Sequence, residues 1–242
     1  MSELPLISGL DVVGTIDHAI LGPTITHADV ANGIAAVLHL PLASVCVNSV
    51  YVNHAVSCLA GAGIAVCSVV GFPSGSVALD AKLRETEIAL DNGAVEIDMV
   101  LHLGAALGGH ISTVRTELRF VTALVHQANC KLKVILETGL LSDALIAELC
   151  SLCSDEGADF VKTSTGFGTV HGHDGHLVVT GATIHHVALM ARSVSARTAV
   201  KASGGIRTLT DARAMLQAGA TRLGTSSTLA ILADEKSLTN DY

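Results

Sequence analysis

Two lysines and one aspartate carry the clearest chemistry in this sequence. Lys162, Lys201 and Asp98 each lie in a short apolar, β-branched run. A lysine buried beside a second ammonium loses its proton more readily, because desolvation and like charge both disfavour the charged form. The free amine can add to a carbonyl as a Schiff-base nucleophile, and a carboxylate can transfer the protons of the later steps. The set predicts amine-assisted cleavage of a carbon-carbon bond, with either lysine as the nucleophile.

Further polar residues recur at or near the carboxyl ends of predicted strands. Burying one charge costs several kcal/mol unless it is paired, so a single such residue could be a structural ion pair. In a parallel barrel these strand ends converge on the face that holds the active site. Seven on one face therefore favour a pocket: Asp17, Cys46, Asp98, Glu137, Lys162, Lys201 and Ser226.

Two glycine-rich turns predict a phosphate site. Gly204 and Gly205 follow the seventh predicted strand, and the run from Gly224 to Ser227 follows the eighth. Barrels often bind phosphate at these two turns, through backbone N–H groups and a helix N-terminus. Either turn alone could be a simple tight turn, whereas the pair favours a phosphorylated substrate.

A metal site is the main rival hypothesis. The chain has 12 histidines, and His171, His173, Asp174 and His176 cluster in a glycine-rich stretch after the sixth predicted strand. We interpret this stretch as a solvated loop, with metal binding as the alternative. His185 and His186 are adjacent on a predicted helix and require no special role, while His18 either lines the pocket or packs beside it.

These residues are positioned by an alternating pattern of strands and helices. Amphipathic stretches separate the strands, as at 76–92 and at 143–155, where Ser142 is a plausible N-cap and Gly157 ends the helix. Strict alternation predicts a parallel sheet with right-handed crossovers, and eight units favour a single closed (β/α)8 barrel over residues 1–242, with a doubly wound sheet as the alternative. The eight predicted strands span residues 14–18, 43–48, 63–70, 95–100, 132–137, 160–164, 198–202 and 222–225.

Composition excludes several other classes of protein. With a net charge of -8, no Trp and 2% aromatic residues, the chain lacks the features that bind nucleic acid. The start of the chain has no secretory pattern, and the uncharged stretch 55–79 is broken by glycines and a proline. We therefore expect a cytoplasmic protein without a membrane partner. Cys150 and Cys153 are interpreted as thiols of a helix core.

The ordered motifs resemble the deoxyribose-phosphate aldolase family over essentially the whole chain. They are specific because eight of them occur in the same order. The motifs are IDHAILGP (16–23), SVCVN (44–48), VVGFPSG (69–75), EIDMV (96–100), ILETGLL (135–141), FVKTSTGFG (160–168), VKASGGIRT (200–208) and RLGTSS (222–227).

The resemblance implies a class I aldolase that reversibly cleaves 2-deoxy-D-ribose 5-phosphate to acetaldehyde and D-glyceraldehyde 3-phosphate. It implies no cofactor and no metal. Lys162 matches the Schiff-base lysine, Lys201 the second lysine and Asp98 the acid/base carboxylate, and the terminal Tyr242 matches a tyrosine that assists proton transfer. The resemblance assigns Asp17, Cys46, Leu21 and Thr165 to the substrate pocket, and Gly166, Gly204, Gly205, Gly224, Ser226 and Ser227 to the phosphate turns.

Two segments stand apart from this pattern. The stretch at about 169–180 is interpreted as an insertion at the active face, and a flexible tail is expected from about residue 236. The expected partners are a phosphorylated sugar and aldehydes, and a homodimer is one hypothesis for the assembly. A metal-dependent lyase or isomerase and a non-catalytic sugar-phosphate-binding barrel remain as alternatives, although a binding barrel would not require two lysines.

Overall fold

The computed structural model describes residues 12–172 and 174–239. This part of the chain contains ten strands, each separated from the next by helices or turns. They are β1 (Ile16–Ile20), β2 (Ser44–Val47), β3 (Ala65–Val70), β4 (Glu96–Val100), β5 (Lys131–Ile135), β6 (Phe160–Lys162), β7 (Thr169–His171), β8 (Leu177–Val179), β9 (Ala199–Ser203) and β10 (Arg222–Thr225).

Nine α-helices lie wholly within the described residues. They are α1 (His27–Val37), α2 (Val52–Cys58), α3 (Leu79–Asp91), α4 (Leu103–Leu107), α5 (Ile111–Gln127), α6 (Asp143–Asp155), α7 (Ile184–Ser193), α8 (Leu209–Gln217) and α9 (Thr228–Thr239). Helix α9 thus continues past residue 236, where the tail is expected to begin. Among the described helices, none is both long and apolar enough to cross a membrane.

Eight of the strands form a closed parallel barrel, which confirms the predicted fold. The order around the barrel is β1-β10-β9-β6-β5-β4-β3-β2, and the β1–β10 pairing closes it. All eight strands overlap the predicted ranges. The fifth barrel strand, β5, ends at Ile135, before the predicted end at residue 137. Glu137 itself has a left-handed φ of 53°, a conformation outside the β region.

Side-chain caps fix where several helices begin. Ser142 accepts a hydrogen bond from the Leu145 N–H and starts α6 as predicted, and Thr26 forms a capping box with Asp29 at the start of α1. The main apolar core lies between the strands and the surrounding helices. It includes Cys150 and Cys153, both fully buried, which confirms their interpretation as core thiols.

Residues 169–180 contain a hairpin rather than a plain loop. Strands β7 and β8 pair antiparallel, with Val170 opposite Val178, and the Gly172 N–H donates to the His176 carbonyl at 2.8 Å. At the base of the hairpin, the Thr180 N–H donates to the Gly168 carbonyl at 2.7 Å. The β-branched residues on either side of a glycine turn therefore form local sheet structure beside the active face.

Candidate active site

Asp98 is the centre of a buried charge cluster inside the barrel. Its Oδ2 accepts hydrogen bonds from Lys162 Nζ at 2.8 Å and from Lys201 Nζ at 2.7 Å. Its Oδ1 accepts from Lys133 Nζ at 2.8 Å. Register explains the grouping, because Lys162 is paired with Lys201 across β6 and β9, and Asp98 with Lys133 across β4 and β5. The structure thus brings the three predicted chemical residues together.

Asp17 and Glu96 provide the other two carboxylates of the cluster. Asp17 accepts from Lys201 and, at 2.6 Å, from Arg222 Nη1. Glu96 lies 2.6 Å from Lys133 Nζ and 3.0 Å from Arg222 Nη1. The cluster therefore reaches below the carboxyl ends of the strands, since Asp17 is the second residue of β1 and Lys201 the middle residue of β9.

Sequence reasoning missed Lys133, Glu96 and Arg222. One signal was available for Glu96, which lies two residues before Asp98 in the same strand and therefore faces the same side. Lys133 is a charged residue within an otherwise apolar run, a feature that calls for a buried partner. Arg222 is the first residue of the eighth barrel strand, β10, and only barrel closure brings it to Asp17.

Opposite charges set the ionisation of the cluster. Burial alone would raise the pKa of Asp98, but Lys133, Lys162 and Lys201 hold that pKa well below its usual range. Burial alone would lower the pKa of Lys201, yet Asp17 and Asp98 raise it above its ordinary value. The two carboxylates therefore keep Lys201 a cation, whereas burial and a neighbouring ammonium alone would favour the free amine.

The contacts of the two predicted lysines differ in number. Lys201 contacts two carboxylates, Asp17 and Asp98, whereas Lys162 contacts only Asp98 among the described residues. Both lysines line an open cavity of about 470 Å³ at the carboxyl end of the barrel. Lys133 is fully buried and does not line it. Lys162 is thus the less constrained of the two ammonium groups that face the cavity.

Most of the predicted site residues share this cavity. Asp98 does not line it and contacts the cavity lysines from below, and Tyr242 lies outside the described residues. The predicted residues that line the cavity are Asp17, Leu21, Cys46, Lys162, Thr165, Gly166, Lys201, Gly204, Gly205, Gly224, Ser226 and Ser227.

The glycine turns approach one another closely at one side of the cavity. Gly166, Gly204 and Gly205 have φ values of +82°, +87° and +81°, which favour glycine. A Cβ on Gly181, which sequence reasoning did not select, would lie 2.6 Å from the Gly204 carbonyl oxygen. Ser226 and Ser227 directly precede α9, so the turns and a helix N-terminus border the same space. This arrangement is typical of a phosphate site.

Thr165 has a supporting role as well as a place in the cavity. Its hydroxyl donates to the buried Glu137 carboxylate and accepts from the N–H groups of Phe167 at 3.0 Å and Gly168 at 3.2 Å. Glu137 also accepts from the Thr165 N–H at 3.1 Å. Glu137 does not line the cavity as its predicted position implied, and instead fixes the turn that carries Gly166.

His18 and the predicted pocket residue Cys46 also line the cavity that holds the two lysines. Burial lowers the pKa of His18 to about 4, so the ring is neutral near pH 7, and its Nδ1 lies 2.9 Å from the Thr228 hydroxyl. The hydrogen bond from Cys67 lowers the pKa of Cys46, although burial opposes this effect. His18 is therefore a cavity residue tied to the start of α9.

Among the described residues there are two groups that each bring three potential metal ligands together. Cys46, Cys67 and Asp98 are buried, whereas Asp143, His185 and His186 lie towards the surface. Asp98 is already bound to three ammonium groups, which disfavours a cation at the first group. Neither group includes His171 or His176 of the hairpin, and His173 lies outside the described residues.

Comparisons with known proteins agree on one family. A family model described as DeoC/LacD family aldolase matches residues 12–234. A deoxyribose-phosphate aldolase of Carboxydothermus hydrogenoformans is 41% identical over 94% of this chain and 96% of its own length. One of Mycolicibacterium paratuberculosis is 46% identical over 90% of this chain and 93% of its own.

Solved structures give the same result. A tetrameric deoxyribose phosphate aldolase of Aeropyrum pernix superposes with a TM-score of 0.85 at 33% identity, covering 96% of this chain and 93% of that one. The aldolase QR15 superposes with a TM-score of 0.84 at 35% identity, covering 96% and 97%.

Proposed function

The chain belongs to the DeoC/LacD family of aldolases, and we propose that it reversibly cleaves 2-deoxy-D-ribose 5-phosphate to acetaldehyde and D-glyceraldehyde 3-phosphate. The reaction proceeds through a Schiff base on Lys162. One observation carries this assignment: Lys162 faces the cavity with a single carboxylate contact, while the neighbouring Lys201 is held as a cation by two.

Charge balance in the cluster supports Lys162 as the nucleophile. With every lysine protonated, four cationic side chains face three carboxylates. The cluster thus holds one cationic side chain more than it has carboxylates. Lys162 has the fewest ion pairs of the three lysines, so it can leave the cluster for the substrate carbonyl at the smallest electrostatic cost. The four cationic side chains are Lys133, Lys162, Lys201 and Arg222, and the three carboxylates are Asp17, Glu96 and Asp98.

The geometry around Asp98 supports a route for the protons. The Lys162 amine adds to C1 of the open-chain sugar, and the carbinolamine loses water to form an iminium ion. Removal of the C3 hydroxyl proton then breaks the C2–C3 bond, releasing D-glyceraldehyde 3-phosphate and leaving an enamine. Protonation at C2 and hydrolysis release acetaldehyde. Asp98 and Lys201, which share a hydrogen bond next to Lys162, are the proposed donors and acceptors of these protons.

The glycine turns are proposed to hold the substrate phosphate. Gly166, Gly204 and Gly205 line the cavity together with Ser226 and Ser227. The α9 N-terminus adds a favourable field for an anion. The phosphate would thereby fix the far end of the sugar while its aldehyde carbon reaches Lys162.

Trapping of the imine tests this proposal. The protein is incubated with acetaldehyde and borohydride in excess chelator, and the reduced adduct is mapped by mass spectrometry. We expect one adduct, on the peptide that contains Lys162, together with full activity in chelator. Lys162→Met is the negative control and should give no adduct. Lys131→Met, which alters an exposed lysine of β5, is the matched control and should keep the adduct.

Two outcomes would contradict the proposal. An adduct on Lys201 would assign the nucleophile to the other lysine. Loss of cleavage in chelator, with no adduct, would favour a metal-dependent lyase instead.

A further inference from the structure

Three potential metal ligands meet on the outside of the barrel, away from the reaction described above. Asp143 is the first residue of α6, and His185 and His186 are the second and third residues of α7. The two helices pack against each other, so their first turns lie side by side. None of the three residues lines the catalytic cavity.

The ligand atoms have spacings that suit one ion. His185 Nε2 lies 2.7 Å from Asp143 Oδ2, and His186 Nε2 lies 3.9 Å from Asp143 Oδ1. The ligand atoms of the three residues all lie within 4.8 Å of one another. In a tetrahedral zinc site with bonds of about 2.1 Å, neighbouring ligand atoms are about 3.4 Å apart, a value between the two measured distances. The side chains of Asp143 and His185 are more than half exposed, so both have room to rotate towards that spacing.

The surroundings of His186 favour a metal over a simple ion pair. The gap of 3.9 Å to Asp143 is too long for a hydrogen bond, and His186 Nδ1 is buried without a hydrogen-bond partner in the structure. Among the residues that the structure describes, neither ring nitrogen of His186 thus has a hydrogen-bond partner, and an ion between the side chains would be coordinated by Nε2.

Two opposing effects bear on this position. The N-terminal ends of α6 and α7 carry partial positive charge, which disfavours a cation. The Asp143 carboxylate offsets that charge, and two imidazoles with one carboxylate form a donor set that suits zinc and related divalent transition metals. Asp143 and His185 are more than half exposed, so water can complete the coordination sphere.

We propose that Asp143, His185 and His186 form a surface site for a divalent transition metal of the zinc class. Bound there, the ion would link the first turn of α6 to that of α7. Its role is structural, because the reaction proposed above uses no group at this position.

Zinc titration of the metal-free protein tests the site. The protein is treated with chelator, exchanged into buffer and titrated with Zn²⁺ by calorimetry. We expect the wild-type protein to bind one tight equivalent that His186→Ala and Asp143→Asn each lose. Loss of an outer-shell partner weakens metal binding by about 10- to 100-fold, so loss of a direct ligand should weaken it at least as much.

Matched variants identify where the zinc binds. His126→Ala is the first control. His126 is a surface histidine whose Nε2 lies 2.9 Å from Asp159, but this ion pair does not include a second histidine. His171→Ala/His176→Ala removes hairpin histidines. Both variants should keep the tight equivalent. Tight binding that survives in His186→Ala, or no tight equivalent in the wild-type protein, would overturn the proposal.

A second readout separates metal binding from folding defects. Zn²⁺ should raise the Tm of the wild-type protein and of His126→Ala, because a ligand that binds only the folded state stabilises it. It should not raise the Tm of His185→Ala, whose exposed side chain can be removed with little effect on the metal-free fold. An equal Tm rise in His185→Ala would contradict the site.

Discussion

Replacing Lys133 by methionine removes a buried cation that contacts three carboxylates. Lys133 Nζ lies 2.6 Å from Glu96, 2.8 Å from Asp98 and 3.5 Å from Asp17, and its side chain is fully buried. Removing one partner of a buried ion pair costs about 3–5 kcal/mol, because the remaining charge loses its compensation. At about 2–4 °C per kcal/mol for a chain of this length, we expect the Tm to fall by roughly 6–20 °C.

The same substitution should change the pH dependence of the reaction. Burial alone raises the pKa of Asp98, and the ammonium groups of Lys133, Lys162 and Lys201 lower it well below its usual range. Without Lys133 the pKa of Asp98 must rise. A carboxyl group whose pKa is lowered by folding stabilises the fold above its unfolded pKa, and this contribution is lost as pH falls through the folded pKa. Both acid unfolding and the acid limb of kcat should therefore move to higher pH in Lys133→Met.

Lys82→Met is the matched control for this prediction. Lys82 is also fully buried, and it forms an ion pair with Glu117 between α3 and α5, outside the barrel interior. Lys82→Met should lower the free energy of unfolding by a comparable amount, and it should leave the acid limb of the pH profile of kcat at its wild-type pH. The assays are urea unfolding with the linear extrapolation and kcat measured across pH on deoxyribose 5-phosphate.

Two results would refute the reasoning about Lys133. The first is a parental pH profile of kcat in Lys133→Met, which would mean that this ammonium does not set the ionisation of Asp98. The second is an equal shift of that profile in Lys82→Met, which would trace the effect to general destabilisation. If Lys133→Met does not fold, the charge-balanced double variant Glu96→Gln/Lys133→Met should recover part of the stability, and its pH profile can be measured instead.

The remaining predictions concern the other proposed site residues. Lys201→Leu should nearly abolish turnover yet still give the borohydride adduct on Lys162, and an adduct elsewhere by mass spectrometry would argue against these roles. Asp98→Asn should lower kcat by about 10²–10⁴, the usual contribution of a positioned acid/base group, and a rate within a few-fold of the parent would assign proton transfer elsewhere. Ser226→Asp should raise KM for deoxyribose 5-phosphate by charge repulsion while hardly changing KM for deoxyribose, whereas equal losses would indicate a folding defect. Tyr242→Phe should slow deuterium exchange into the methyl group of acetaldehyde, measured by NMR, and exchange at the parental rate would exclude the tyrosine from proton transfer.

The sequence by itself determined the barrel and much of the cavity lining. The alternation of strands and helices depends on local periodicity, and the helix start at Ser142 depends on a side chain three residues from the N–H it caps. Lys162, Lys201 and the glycine turns were found for the same reason, since each belongs to a short contiguous motif that follows or ends a strand. These signals can be recognised in the sequence because each depends only on residues that are close to one another along the chain.

Only the tertiary structure decided how the charges pair. Asp17 meets Lys201 across 184 residues and Arg222 across 205, contacts that exist only when β1 and β10 close the barrel. The difference between Lys201, held by two carboxylates, and Lys162, held by one, follows from strand register, and so do the places of Lys133 and Glu96. The meeting of Asp143 with His185 and His186 likewise depends on the packing of two helices. Electrostatic pairing is set by distances in space, and sequence spacing does not encode those distances between remote strands.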